Sequence, residues 1–154
     1  MSAGTLPRVD DSWQTLMPEG WEPPVPFDRC FDAQYGLEVL AHDVAGEGSV
    51  TGRVVVGDEL LNHAGVVHGG VFASAAEALA SRGTALAVMP HGKIAVGLSN
   101  DTTVLDSPEQ GAISFHASVR ARDERAWIWT VDARDDDGRL CAYSRVTVAV
   151  RMPL

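Results

Sequence analysis

A chain of 154 residues, 45% of them hydrophobic, has the length of one ordinary domain and enough apolar side chains to bury a core. Its formal net charge of −9 argues against nucleic acid or an anionic membrane as a partner, because the field of the whole protein repels polyanions. A small anionic ligand stays open, since a local arginine cluster overrides that field; Lys93 is the one lysine, and arginine suits forked phosphate contacts.

Cys30 and Cys141 are too few and too widely spaced for a disulfide framework or a cysteine zinc site. The first residues lack a charged-then-apolar targeting pattern, and no apolar run reaches the length of a membrane span. The expectation is a cytoplasmic protein with reduced thiols.

Residues 1–30 read as an irregular leader. Pro7, Pro18, Pro23, Pro24 and Pro26 interrupt helix and strand alike, and Trp13 and Trp21 are the only large aromatics before Phe27. Residues 31–154 read as one domain. Residues 36–44 and 49–56 are two strands joined at Gly46-Glu47-Gly48, a hairpin signal. A loop over 57–69 leads to a long helix over 70–88, which Pro90 and Gly92 stop. Four strands follow. The first covers 95–105 and ends in the turn Asp106-Ser107-Pro108. In the second, Ile113, Phe115, Ala117, Val119 and Ala121 alternate with polar residues, a period of two that puts one face inward. In the third, Trp127, Trp129, Val131 and Ala133 do the same, and Asp135-Asp136-Asp137-Gly138 makes a hairpin turn. The last runs over 139–151, with Leu140, Ala142, Val146, Val148 and Val150 on one face. Short links make the sheet antiparallel. One apolar helix needs a broad surface to cover it. The fold class is therefore α+β, a long central helix wrapped by an antiparallel β-sheet.

Within that helix Glu77 is the one acid. At 100° per residue its own face carries Gly70, Ala73, Ser74, Ala80, Ser81 and Thr84, all small, while Phe72, Ala75, Leu79 and Leu86 lie opposite. A solvated face would show more charge and ion pairs four residues apart, yet residues 73 and 81 are alanine and serine. A carboxylate facing a cavity fits better, although lone helical glutamates are common. His68-Gly69-Gly70 stands directly before the helix. Two glycines allow close approach to the backbone. The first N–H groups of a helix lack internal partners and carry partial positive charge, so they can bind an anion or a polarised carbonyl. A substrate lying along the helix is expected to reach both this end and Glu77, roughly 11 Å apart.

The stretches "NHAGVVHGG" and "AEALAS", with "AVGLSNDTTVLDSP" and "WIWTVDARDDDGRLCAYSRVTVAVR" downstream, resemble the hotdog-fold acyl-CoA thioesterases. The nearest likeness is to the 4-hydroxybenzoyl-CoA thioesterases whose helix carries Glu, and to their phenylacetate-pathway relatives. It spans roughly residues 35–151. The resemblance implies an acyl-CoA thioesterase acting on an aromatic or arylacetyl-CoA, without metal or cofactor. It implies that the Gly69 N–H polarises the thioester carbonyl and that Glu77 is nucleophile or general base. Asn62 orients carbonyl or water, His68 supports the loop or contacts the thioester, Ser81 positions water, and Ser99 lies near the site. Gly70 and Ser74 belong to the substrate-binding strip. It also implies a homodimer or a homotetramer of two dimers, with active sites between subunits. One departure concerns the nucleotide phosphates. The loop in "RARDERAWIW" is shorter than in the Glu-type relatives, and the chain ends at "RMPL". Arg120, Arg122, Arg125 and Arg151 are the candidate contacts.

Other chemistries are less well served. A serine hydrolase needs an elbow such as GxSxG, which is missing. A zinc site built from His63, His68 and Glu77 fits no standard ligand spacing. A hotdog hydratase or dehydratase shares the fold and the CoA substrate but needs an acid–base pair over the α and β carbons. A non-catalytic acyl-CoA or aromatic-ligand binder keeps the pocket and has no need of Glu77.

Overall fold

The computed structural model describes residues 19–20 and 22–154. Most of the proline-rich leader, with Trp13 and Trp21, lies outside the described residues. The order is α1 (Phe31–Gln34), β1 (Glu38–Asp43), β2 (Ser49–Val55), α2 (Gly69–Val88), β3 (Ile94–Val104), β4 (Ala112–Arg122), β5 (Ala126–Arg134) and β6 (Leu140–Arg151). Single 3₁₀ turns over Asp58–Leu60 and Met89–His91 precede and follow α2. Each expected strand and the long helix are present, within two residues at their ends; α1 is an addition.

Local chemistry explains the turns. Between β1 and β2 the Asp43 carboxylate accepts from the Gly46 and Glu47 N–H groups at 2.9 and 3.2 Å. Gly48, at φ 70°, takes a backbone conformation that a side chain disfavours. The two N–H donors hold the Asp43 carboxyl below its ordinary range. The β5–β6 turn repeats the device, with Asp135 accepting from the Asp137 and Arg139 N–H groups.

The described strands form one sheet in the order β1-β2-β4-β5-β6-β3, antiparallel throughout. β3 does not pair with its successor β4. The helix carries the chain across the sheet, so β3 lands at the far edge beside β6. Phe72 and Leu79 of α2 are fully buried, as are Val50, Val54, Ile113, Trp129, Val146 and Val148 of the strands. They form one core between helix and sheet. Gly83 lets the helix come close: a Cβ there would lie 2.5 Å from the Trp129 ring.

Two expectations fail on the details of packing. Thr84 and Ala80 do not belong to the open strip beside Glu77; both are fully buried. The Thr84 hydroxyl donates to the Ala80 carbonyl at 3.0 Å and accepts from the Trp129 indole N–H at 2.9 Å, so a polar side chain is satisfied inside the core. In β4 the alternation breaks at a bulge between Val119 and Ala121, which leaves Ala121 exposed. An extra residue shifts every later side chain to the other face. Ser144, skipped in the expected apolar face of β6, is buried there, within hydrogen-bond distance of Thr102 Oγ1.

Candidate active site

The helix start is built by a short tight loop. Leu61 and Val67 form an isolated antiparallel bridge, the Asn62 N–H donates to the Val66 carbonyl at 2.8 Å, and the His68 N–H to that of Leu60 at 2.8 Å. Asn62 spends its side-chain oxygen on the loop itself, accepting from the Ala64 N–H at 2.8 Å. His68 is the N-cap of α2, and its Nδ1 accepts from the Gly70 N–H at 2.9 Å. A ring nitrogen that accepts carries no proton, so the neutral imidazole holds its hydrogen on Nε2. Capping thus consumes the Gly70 donor. The Val71 N–H goes to the His68 carbonyl at 3.0 Å. The Gly69 N–H donates to no acceptor among the described residues, and it sits where the helix dipole is most positive.

Further along α2, Glu77 is exposed and makes no hydrogen bond or ion pair among the described residues. It lines a cavity of about 510 Å³ with Ser74, Ser81, Ala78 and Arg82 from the helix, Ala95 from β3, and Val25, Phe27, Cys30 and Phe31 from the segment before β1. The end of the leader therefore supplies one wall. A second cavity, about 340 Å³, lies toward the helix start and is lined by His68, Gly70, Ser74, Phe31, Tyr35 and Leu61 among others. Ser74 and Phe31 border both, so the two form neighbouring parts of one surface along the helix. The Tyr35 hydroxyl donates to Asp32 at 2.7 Å, and its ring meets Phe31 edge-on at 5.3 Å between centroids. Burial, then the Asp32 bond, pushes the Tyr35 phenol above its ordinary range, so it stays neutral.

Three residues at the site carried no flag in the sequence. Phe31 is 68% exposed and stands over both cavities. Asn100 of β3 donates to the Ala73 carbonyl at 2.8 Å, tying the strand to the helix one turn before Glu77. Its side-chain oxygen accepts from the Thr102 hydroxyl at 2.7 Å. Gly97 of β3 lies against the Glu77 carboxylate. A polar side chain and a glycine inside a strand were the available signals, but neither names its partner across the fold.

Gly69 and Glu77 are eight residues apart on one helix, about 12 Å at 1.5 Å per residue. Attack on a carbonyl needs reacting atoms about 3–3.5 Å apart, so one thioester carbon cannot meet both groups of the same chain. Ser99 lies on β3, exposed, and lines neither cavity. The arginines are elsewhere too. Arg122 packs over the Trp127 ring at 5.0 Å and donates to the Val44 carbonyl. With His91, Lys93 and Trp127 it borders a third cavity, about 410 Å³, at the C-terminal end of α2. Arg120 is at the β4 bulge, and Arg151 donates to the carbonyls of Arg125 and Val150. No group of three His, Cys, Asp or Glu side chains converges among the described residues, so His63, His68 and Glu77 form no such cluster.

The Thioesterase superfamily model matches residues 64–142, just over half of the chain and the whole segment from the capping loop to β6. The chain belongs to the Thioesterase superfamily. A thioesterase structure from Haemophilus influenzae superposes with a TM-score of 0.71 at 28% identity, covering 77% of this chain and 80% of that one. The 1,4-dihydroxy-2-naphthoyl-CoA hydrolase of Listeria monocytogenes is 27% identical over 116 residues, 75% of this chain and 91% of that protein. The Escherichia coli PaaI protein of the phenylacetic acid degradation operon shares the fold, with a TM-score of 0.69 at 19% identity over 79% of this chain and 83% of that one. The sheet and its single long helix are the hotdog fold, and this superfamily member is a thioester hydrolase.

Proposed function

We propose that this thioesterase hydrolyses an aromatic or arylacetyl-CoA to the free acid and CoA, with Glu77 as the attacking or base carboxylate. The observation that carries the reading is Glu77 itself, a carboxylate with no partner among the described residues, on the wall of a cavity of about 510 Å³. That volume lies within the range of small-molecule sites. The Listeria relative named for an aromatic CoA ester supports the choice of acyl class, and the exposed Phe31 ring supplies an aromatic wall.

In this reading the Gly69 N–H donates to the thioester carbonyl oxygen and stabilises the charge that grows there. As general base, Glu77 takes a proton from water while the water oxygen bonds to the carbonyl carbon. Collapse of the tetrahedral adduct breaks the C–S bond, and the CoA thiolate takes up the proton. As nucleophile, Glu77 forms an acyl anhydride with loss of the thiolate, and water then cleaves it. Ser81 positions the water, Ser74 and Gly70 border the acyl chain, and His68 lines the same surface; Asn62 and Ser99, which line neither cavity of one chain, join the site only where a second subunit completes it. The nucleotide phosphates go to Arg120, Arg122, Arg125 and Arg151. Arg122 is the best supported, since Trp127 holds its guanidinium at the mouth of a separate cavity containing Lys93. Thiol release from benzoyl-, phenylacetyl- and palmitoyl-CoA tests the reading. The aromatic esters are expected to have the higher kcat/KM; preference for palmitoyl-CoA rejects the acyl class, and absence of release from all three rejects the hydrolase assignment.

The chain works as at least a dimer, with Gly69 of one subunit serving the carbonyl that Glu77 of the other attacks. The 12 Å along one helix supports this, as does β3. That strand is a sheet edge, and its Val96 and Leu98 are 42% and 58% exposed. Light scattering is expected to give a dimer or tetramer, and a 16.4 kDa particle at micromolar concentration overturns the shared site. No helix among the described residues is long and apolar enough to cross a membrane.

A further inference from the structure

We infer that Gly97 is a positioning residue that holds the Glu77 carboxylate where it acts; the inference rests on the catalytic reading of Glu77. β3 passes beside the helix with Gly97 opposite Val148 of β6 and Ser99 opposite Thr147, so Leu98 is the extra residue of a bulge that begins directly after Gly97. A Cβ on Gly97 would lie 2.8 Å from Glu77 Oε1, 3.5 Å from its Cδ and 3.7 Å from its Cγ. All three of the nearest atoms belong to Glu77, so the space that a side chain at residue 97 would take is held by the carboxylate.

The backbone gives no other reason for glycine. Gly97 is not among the residues with positive φ, so an alanine fits the chain's path without strain. What moves is the far end of the Glu77 side chain. To reach ordinary contact, which begins at 3.4 Å, Oε1 must retreat by about 0.6 Å. The Asn100 bond to the Ala73 carbonyl ties β3 to the helix one turn away, which limits relief by movement of the strand. Glu77 has no hydrogen bond among the described residues to fix its rotamer, so steric contact with β3 is what confines it.

The test is Gly97→Ala in the full-length protein, beside Glu77→Gln. Gly97→Ala is expected to keep the melting temperature and the KM for phenylacetyl-CoA near wild type while kcat falls about tenfold to a hundredfold, the scale of a misplaced reacting group. A structural role alone would move stability and leave kcat. A cycle with Glu77→Asp supplies the second readout: the shorter side chain avoids the new methyl, so Glu77→Asp is expected to cost less in the Gly97→Ala background than in wild type. If Gly97→Ala turns over at the wild-type rate while Glu77→Gln is inactive, the positioning inference fails and the catalytic reading stands. If Glu77→Gln retains its rate, the reading beneath it fails instead. A large drop in melting temperature for Gly97→Ala, with additive effects in the cycle, also overturns the inference.

Discussion

Glu77→Gln is expected to lower kcat at least about a hundredfold, the scale of losing a positioned acid–base group, with little change in melting temperature or in CoA-ester binding. The side chain is exposed in the chain and has no partner among the described residues whose loss would strand a buried charge. Glutamine keeps the volume against Gly97 and removes the negative charge and the basicity. It can neither accept the proton of water nor attack the thioester carbon as a carboxylate. The remaining donor, the Gly69 N–H, still polarises the carbonyl, so residual turnover above background is expected. Steady-state kinetics with an aromatic CoA ester, together with a melting curve, check both halves. Turnover near wild type makes Glu77 a surface residue and removes the catalytic meaning of the "HGGVFASAAE" stretch.

Trp129→Ala acts on folding. Its ring is fully buried at the centre of the sheet, stacks with Trp127 at 6.0 Å and fills the space that Gly83 leaves on the helix. Removing a buried tryptophan costs about 3–5 kcal/mol, from lost burial and from the cavity left behind. For a chain of this size that lowers the melting temperature by roughly 10 °C. Thr84 keeps its bond to the Ala80 carbonyl but loses the indole donor. Trp129→Phe, which removes the N–H and retains a ring, is expected to lose less. Urea denaturation measures the series, and a Trp129→Ala loss within about 1 kcal/mol of wild type, far below that of a buried ring, shows that the core does not hinge on it.

The two sites differ in how far the residues announce them. The burial of Trp127, Trp129, Val131 and Ala133 is legible because a strand's side chains alternate, and that period needs no knowledge of what lies across the sheet. Ala121 follows the same rule on paper and breaks it in space, since the bulge after Val119 depends on how β4 meets β5. The helix wheel correctly set Phe72, Ala75, Leu79 and Leu86 inward. It misplaced Thr84, because a small polar residue shows from sequence neither that it is buried nor that an indole will satisfy it.

What the sequence by itself determined was local. It set a long helix over residues 70–88 at a His-Gly-Gly start, one acid within that helix, six strands of alternating or apolar pattern and the turns between them. These follow from spacing, capping and turn chemistry among residues close along the chain. Tertiary structure alone decided which strand lies beside which. Sending β3 across the helix to the edge beside β6 brings Gly97 under Glu77 and Asn100 to the Ala73 carbonyl. It also decided that the His68 ring spends Nδ1 on the Gly70 N–H, and so which backbone donor stays open. Such contacts join residues by pairing and packing across the fold, and a spacing rule along one chain carries no term for them.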